Sequence, residues 1–94
     1  MRVVASQPAV DLIHERGTRL YVWLERSRCC GAVTRLAASS TPPDGREFRR
    51  SGATDRFELY LPARLEREPD ELHVEARRFP RRVDAYWNGC AWVV

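Results

Sequence analysis

The 94-residue sequence predicts an α+β, mainly β fold: one short N-terminal helix followed by a twisted sheet. Three observations carry this. Apolar residues cluster with helical spacing only between Ser6 and Arg16, the period changes to two after Gly17, and short alternating stretches separated by turn residues recur to the end. With 44% hydrophobic and 31% charged residues the chain has the composition of a folded protein, with room for a single domain over residues 1–94.

The helix is expected to open the chain. Ala9, Val10, Leu12 and Ile13 supply its apolar face, Ser6 can cap the first amides, and Gly17 can take the left-handed stop. In the first strand Leu20, Val22 and Leu24 face one way, and Arg19, Tyr21, Trp23 and Glu25 the other. A weaker strand through residues 32–38 would form a hairpin with it, placing Cys29-Cys30-Gly31 at the connection. Ser39 to Gly52, with Pro42-Pro43-Asp44-Gly45, reads as a long surface loop, because proline donates no ladder hydrogen bond and Asp-Gly favours a turn.

Three further strands follow from alternation: Phe57, Leu59 and Leu61, then Leu72, Val74 and Ala76, then Val83, Ala85 and Trp87. Pro62 to Asp70 reads as a crossover and Phe79-Pro80-Arg81-Arg82 as a turn or bulge. Asn88-Gly89 is a tight-turn pair, after which Cys90 to Val94 would return as a last strand.

Composition also limits function. Sixteen basic residues, all arginine, against thirteen acidic ones give a net charge of only +3, which suits coding bias in a GC-rich genome better than a nucleic-acid surface. No run approaches the ~20 apolar residues of a membrane span, and the first residues lack the apolar core of a secretion signal, so a cytoplasmic protein is expected. There is no nucleophile elbow, phosphate loop or zinc-protease helix, and thus no familiar catalytic constellation beyond thiol redox chemistry. Aromatic residues interleave with arginines opposite the aliphatic rows. Glu25, Glu58, Glu75 and Asp84 share those faces and would repel phosphate, which favours a second buried face, a dimer surface or arginine stacking over base stacking.

The three cysteines are the chemical signal. An odd count without a secretion signal argues for free thiols or ligands over a disulfide framework. Arg26 and Arg28 would favour the thiolates of Cys29 and Cys30, the form that binds metal or attacks an electrophile. Cys90 is a candidate third ligand, and three thiolates with one open position would suit zinc or an iron-sulfur cluster. A dithiol–disulfide couple at Cys29-Cys30 without metal, and an interaction module with inert cysteines, stay open as alternatives. His14 and His73 can be ligands or proton relays, or else a helix-surface and a strand-face histidine.

The strand Gly17 to Glu25, the Cys29-Cys30-Gly31 loop, the following strand, the Pro-Pro-Asp-Gly loop, and Phe57–Ala63 through Leu72–Ala76 together resemble the HesB-like, or A-type iron-sulfur carrier, pattern. In particular the chain is similar to the family's small bacterial branch known by its Cys-Cys motif, in which selenocysteine can replace a cysteine. The resemblance implies a HesB-like sheet or sandwich and a bacterial protein. It also implies iron or an iron-sulfur cluster as cofactor, a homodimer, and assembly or redox proteins as partners, without nucleic acid or membrane. Carried over by position, it implicates Cys29 or Cys30, and Cys90 as the counterpart of a C-terminal Cys-Gly-Cys segment that this chain has only as Asn88-Gly89-Cys90.

Overall fold

The computed structural model describes the backbone of residues 1–27, 33–64, 70–78 and 81–88, and the side chains of these apart from residues 25–27, 33–35, 87 and 88. The elements run β1 (Arg2–Ala5), α1 (Gln7–Glu15), β2 (Arg19–Ser27), β3 (Val33–Ser39), β4 (Phe48–Ser51), β5 (Glu58–Pro62), β6 (Glu71–Arg78) and β7 (Arg81–Asn88). The fold is therefore mostly β with one short helix.

The helix forms where its caps dictate. Ser6 stands in extended backbone, and its hydroxyl oxygen accepts the Ala9 amide at 3.3 Å. Pro8 falls in the first turn, where its missing N–H costs nothing. At the other end Gly17 takes φ +113° and Thr18 φ +67°, and the Thr18 amide donates to the Ile13 carbonyl at 2.8 Å. The helix does not open the chain, however. Residues 2–5 form β1 and pair in parallel with β6, Val3 opposite Leu72 and Ala5 opposite Val74.

The strands make two mixed sheets, ordered β1-β6-β7 and β3-β2-β5-β4. In the first, β6 and β7 are antiparallel from Glu71↔Asn88 to Arg78↔Arg81. In the second, β2 is antiparallel to β3, parallel to β5 through Arg19↔Glu58 and Tyr21↔Tyr60, and β5 is antiparallel to β4. Strand β4 lies inside the stretch expected to be a loop. It pairs Phe48 with Pro62 and Ser51 with Leu59 as an edge strand, where polar Arg49 and Arg50 remain solvated.

The two sheets meet where β3 lies alongside β7, and α1 touches β2, β6 and β7. Its buried residues Ala9, Val10, Leu12 and Ile13 join Leu20, Val22, Leu59, Leu61, Leu72 and Val74 in one core, closed by Phe57, Val83 and Ala85. These are the alternate positions that the period-two pattern singles out. The Trp87 side chain and the returning segment Cys90 to Val94 lie outside the described residues.

Candidate functional site

Cys29, Cys30 and Cys90 all lie outside the described residues, as do Arg28 and Gly31. The structure does describe the strands that lead to them. Strands β2 and β3 remain paired to Ser27↔Val33, the residues that bracket positions 28–32, so the cysteine pair falls on the connection of a true antiparallel hairpin. Strand β7 is paired to its end at Asn88, two residues before Cys90.

At the other end of these strands the helix C-terminus, Arg19 and Leu20 of β2, Ala38 and Ser39 of β3, and Arg82 and Val83 of β7 line one pocket. The end of β3 and the start of β7 thus line one pocket, and the two strands are in contact.

Both histidines have structural partners. The exposed His14 ring donates from Nε2 to the Arg56 carbonyl at 2.6 Å, joining α1 to the segment before β5. His73 Nε2 lies 3.0 Å from Glu71 Oε2, on one face of β6. Among the described residues no three His, Cys, Asp or Glu side chains stand close enough to hold a metal ion.

The solvent-facing side of the four-stranded sheet carries the aromatic residues in rows set by register. Phe48 pairs with Pro62 across β4 and β5, and both line one cleft with Trp23 of β2; Tyr21, Tyr60 and Arg50 form a row across β2, β5 and β4; Arg19 and Glu58 form another. Tyr21 stacks on Tyr60 at 4.7 Å and 16°, while Phe48 meets Tyr21 edge-on at 5.2 Å and Trp23 at 6.3 Å.

Glu58 on this face is compensated. Arg19 and Arg50 approach it at 3.5 and 3.9 Å, and the Tyr60 hydroxyl donates to it at 3.3 Å. Glu75 and Asp84 lie on the other sheet, opposite one another, with Asp84 held by Arg77 at 2.9 Å and Arg82 at 3.0 Å. Glu58, Glu75 and Asp84 thus lie on the strand faces opposite the buried aliphatic rows, as expected, although on two different sheets, so only Glu58 shares the face of the stacked aromatics; the Glu25 side chain lies outside the described residues.

Phe48, Arg46 and Arg64 escape the sequence reading as parts of this surface. The only signal for Phe48 is a single aromatic after a Pro-Pro-Asp-Gly stretch, and its neighbours arrive through pairings of distant segments.

Two mixed sheets and one short helix define the chain as a small, mostly β protein. Escherichia coli SufA, described as involved in biosynthesis of iron-sulfur clusters, has a crystal structure similar to this chain: TM-score 0.51 at 16% identity, over 99% of this chain and 93% of that one. At that identity the likeness is one of fold. No family model matches the sequence, and no curated protein does.

Proposed function

We propose that the chain is an accessory protein that binds iron or an iron-sulfur cluster as cargo through the thiolates of Cys29 and Cys30, with Cys90 as an auxiliary ligand. The observation that carries this reading is that nearly the whole chain follows the fold of a protein described by its role in iron-sulfur cluster biosynthesis, with a cysteine pair on the β2–β3 connection. Contact between β3 and β7 is consistent with a shared site, since Cys30 precedes β3 and Cys90 follows β7 in the sequence.

Three thiolates fill three positions of a four-coordinate iron and leave one for a second copy of the chain or an assembly partner. That arrangement suits a carrier, because an incomplete site can hand its cargo on. No helix among the described residues is long and apolar enough to cross a membrane. We take the cytoplasm as the site of action.

Anaerobic reconstitution with ferrous iron and sulfide tests the proposal, followed by visible absorbance and iron and sulfide analysis of the wild type and of Cys29→Ser, Cys30→Ser and Cys90→Ser. The wild type is expected to retain both elements with charge-transfer absorbance, the first two variants to lose most of it, and Cys90→Ser to hold it less firmly. Failure of the wild type to retain iron overturns the carrier reading. A reversible Cys29–Cys30 disulfide would then assign the pair to thiol redox work, and thiols inert to alkylation would leave an interaction module.

A further inference from the structure

A cleft of about 370 Å³ opens beside Trp23, Phe48 and Pro62, with Arg46 and Arg64 at its rim and Glu47 beside them. Its volume falls within the roughly 300–1,000 Å³ of small-molecule sites, and its walls combine flat apolar surface with few charges. The Trp23 indole and the Phe48 ring are half-buried and set edge-on, so an apolar body can lie against either one. Arg46 is fixed by donating from Nη1 to the Leu24 carbonyl at 3.1 Å, which ties the segment before β4 to β2 and leaves the rest of the guanidinium to solvent.

Charge makes the cleft selective. Several arginines elsewhere in the molecule are paired with carboxylates: Arg19 and Arg50 with Glu58 on the same sheet, Arg77 and Arg82 with Asp84 on the other, and Arg81 with Glu15 of the helix. Arg46 and Arg64 have no carboxylate partner among the described residues, and two guanidinium groups outweigh the single Glu47. A planar fork with free donors beside an aromatic wall matches an anionic group carried on an apolar body. An excess of one positive charge is too small to track a polyphosphate backbone, which needs a line of cations.

We propose that this cleft binds a carboxylate joined to an aromatic or bulky apolar group. A free aryl acid and a polypeptide C-terminus ending in an aromatic residue share that chemistry. Among the described residues the lining of the cleft holds no sulfur, and its occupancy is tested apart from the thiol reading.

The test titrates the full chain with N-acetyl-tryptophan, its amide, and the acetylated tetrapeptide Gly-Gly-Ser-Trp as free acid and as amide. Binding is followed through the Trp23 indole N–H and the Arg46 and Arg64 Nε–H signals. The acids are expected to bind about fivefold more tightly than the amides, as an exposed ion pair allows. Arg46→Gln and Arg64→Gln should each weaken the acids by a similar factor, whereas Glu47→Gln should tighten them. The variant with all three cysteines replaced by serine should bind as the wild type does, which separates this site from the failure or success of iron retention.

A tighter tetrapeptide assigns the natural ligand to a chain terminus, and a tighter free acid assigns it to a small molecule. Equal binding of acids and amides, shifts confined to other residues, or tighter binding of uridine monophosphate than of any acid overturns the proposal.

Discussion

At the scale of single residues the sharpest constraint sits at the exit from the helix. Gly17 at φ +113° and Thr18 at φ +67° are consecutive residues in the region that side chains avoid. Thr18 is held there from both sides, its amide donating to Ile13 and its carbonyl accepting from Glu58 at 2.9 Å, so the helix end and the start of β5 fix a strained β-branched residue between them. No atom lies within 4 Å of a Cβ built on Gly17, so any cost of substitution there is conformational and not steric crowding. Gly17→Ala should therefore cost about 1–2 kcal/mol, and Thr18→Asn should stabilise by about 0.5–1 kcal/mol, because asparagine tolerates this backbone. Urea denaturation with unchanged m-values checks both. A neutral Gly17→Ala would show that the turn relaxes.

At the scale of elements, ion pairs and caps decide how the helix is tied to the sheets. Arg81 at the start of β7 clasps Glu15 at the helix end with both terminal nitrogens, at 3.1 and 2.6 Å, and the Arg16 guanidinium donates to the Arg81 carbonyl at 2.7 Å. The hydrogen bond and charge of Arg81 hold the Glu15 carboxyl below its usual range, and Glu15 raises Arg81 in turn. A carboxyl whose folded pKa is depressed releases its proton more readily in the folded chain. Its stabilising share is thus complete above the unfolded carboxylate pKa and disappears as pH falls through the folded value. Both groups are exposed, so the effect is small and screened by salt. Glu15→Gln should melt slightly below the wild type at neutral pH and low salt, and the gap should close in acid and in high salt. A gap that persists at low pH would mean the pair contributes through packing alone.

The same scale shows what the sequence could disclose. The helix was legible to the residue because its boundary signals are local: a serine cap, an early proline and a glycine stop. Strands β2, β5, β6 and β7 were legible because each alternates buried aliphatic and exposed polar positions. Strands β1 and β4 were not. Each has four residues and no alternation long enough to read, and each exists because a distant edge, β6 or β5, offers it hydrogen bonds. The pairing of β2 with β3 on either side of residues 28–32 was legible as a hairpin, while the cysteines themselves lie outside the described residues. The aromatic cleft was hidden for the reason that hid β4: Trp23, Phe48 and Pro62 become neighbours only through the pairing of distant strands.

At the scale of the whole molecule, one core serves both sheets. Leu72 is fully buried on the central strand of the three-stranded sheet, opposite Val3 on one side and Trp87 on the other. Leu72→Ala should cost about 2–5 kcal/mol through lost burial and the cavity left behind. That is a large part of the roughly 5–15 kcal/mol that holds a domain of this size together, so a fall in melting temperature of about 10 °C or more is expected by calorimetry. A fall of a degree or two would show that the two sheets are separately stable.

The parallel pairing of β1 with β6 has a consequence for how the protein comes into being. Strand β1 can find its hydrogen-bonding partner only once residues 71–74 have been made, and the pairing of β2 with β5 likewise needs residues 58–60. The β2–β3 hairpin, by contrast, can zip as soon as its own two strands exist. Closure over long stretches of chain is slow, so the docking of β1 beside β6 is expected to follow the hairpin.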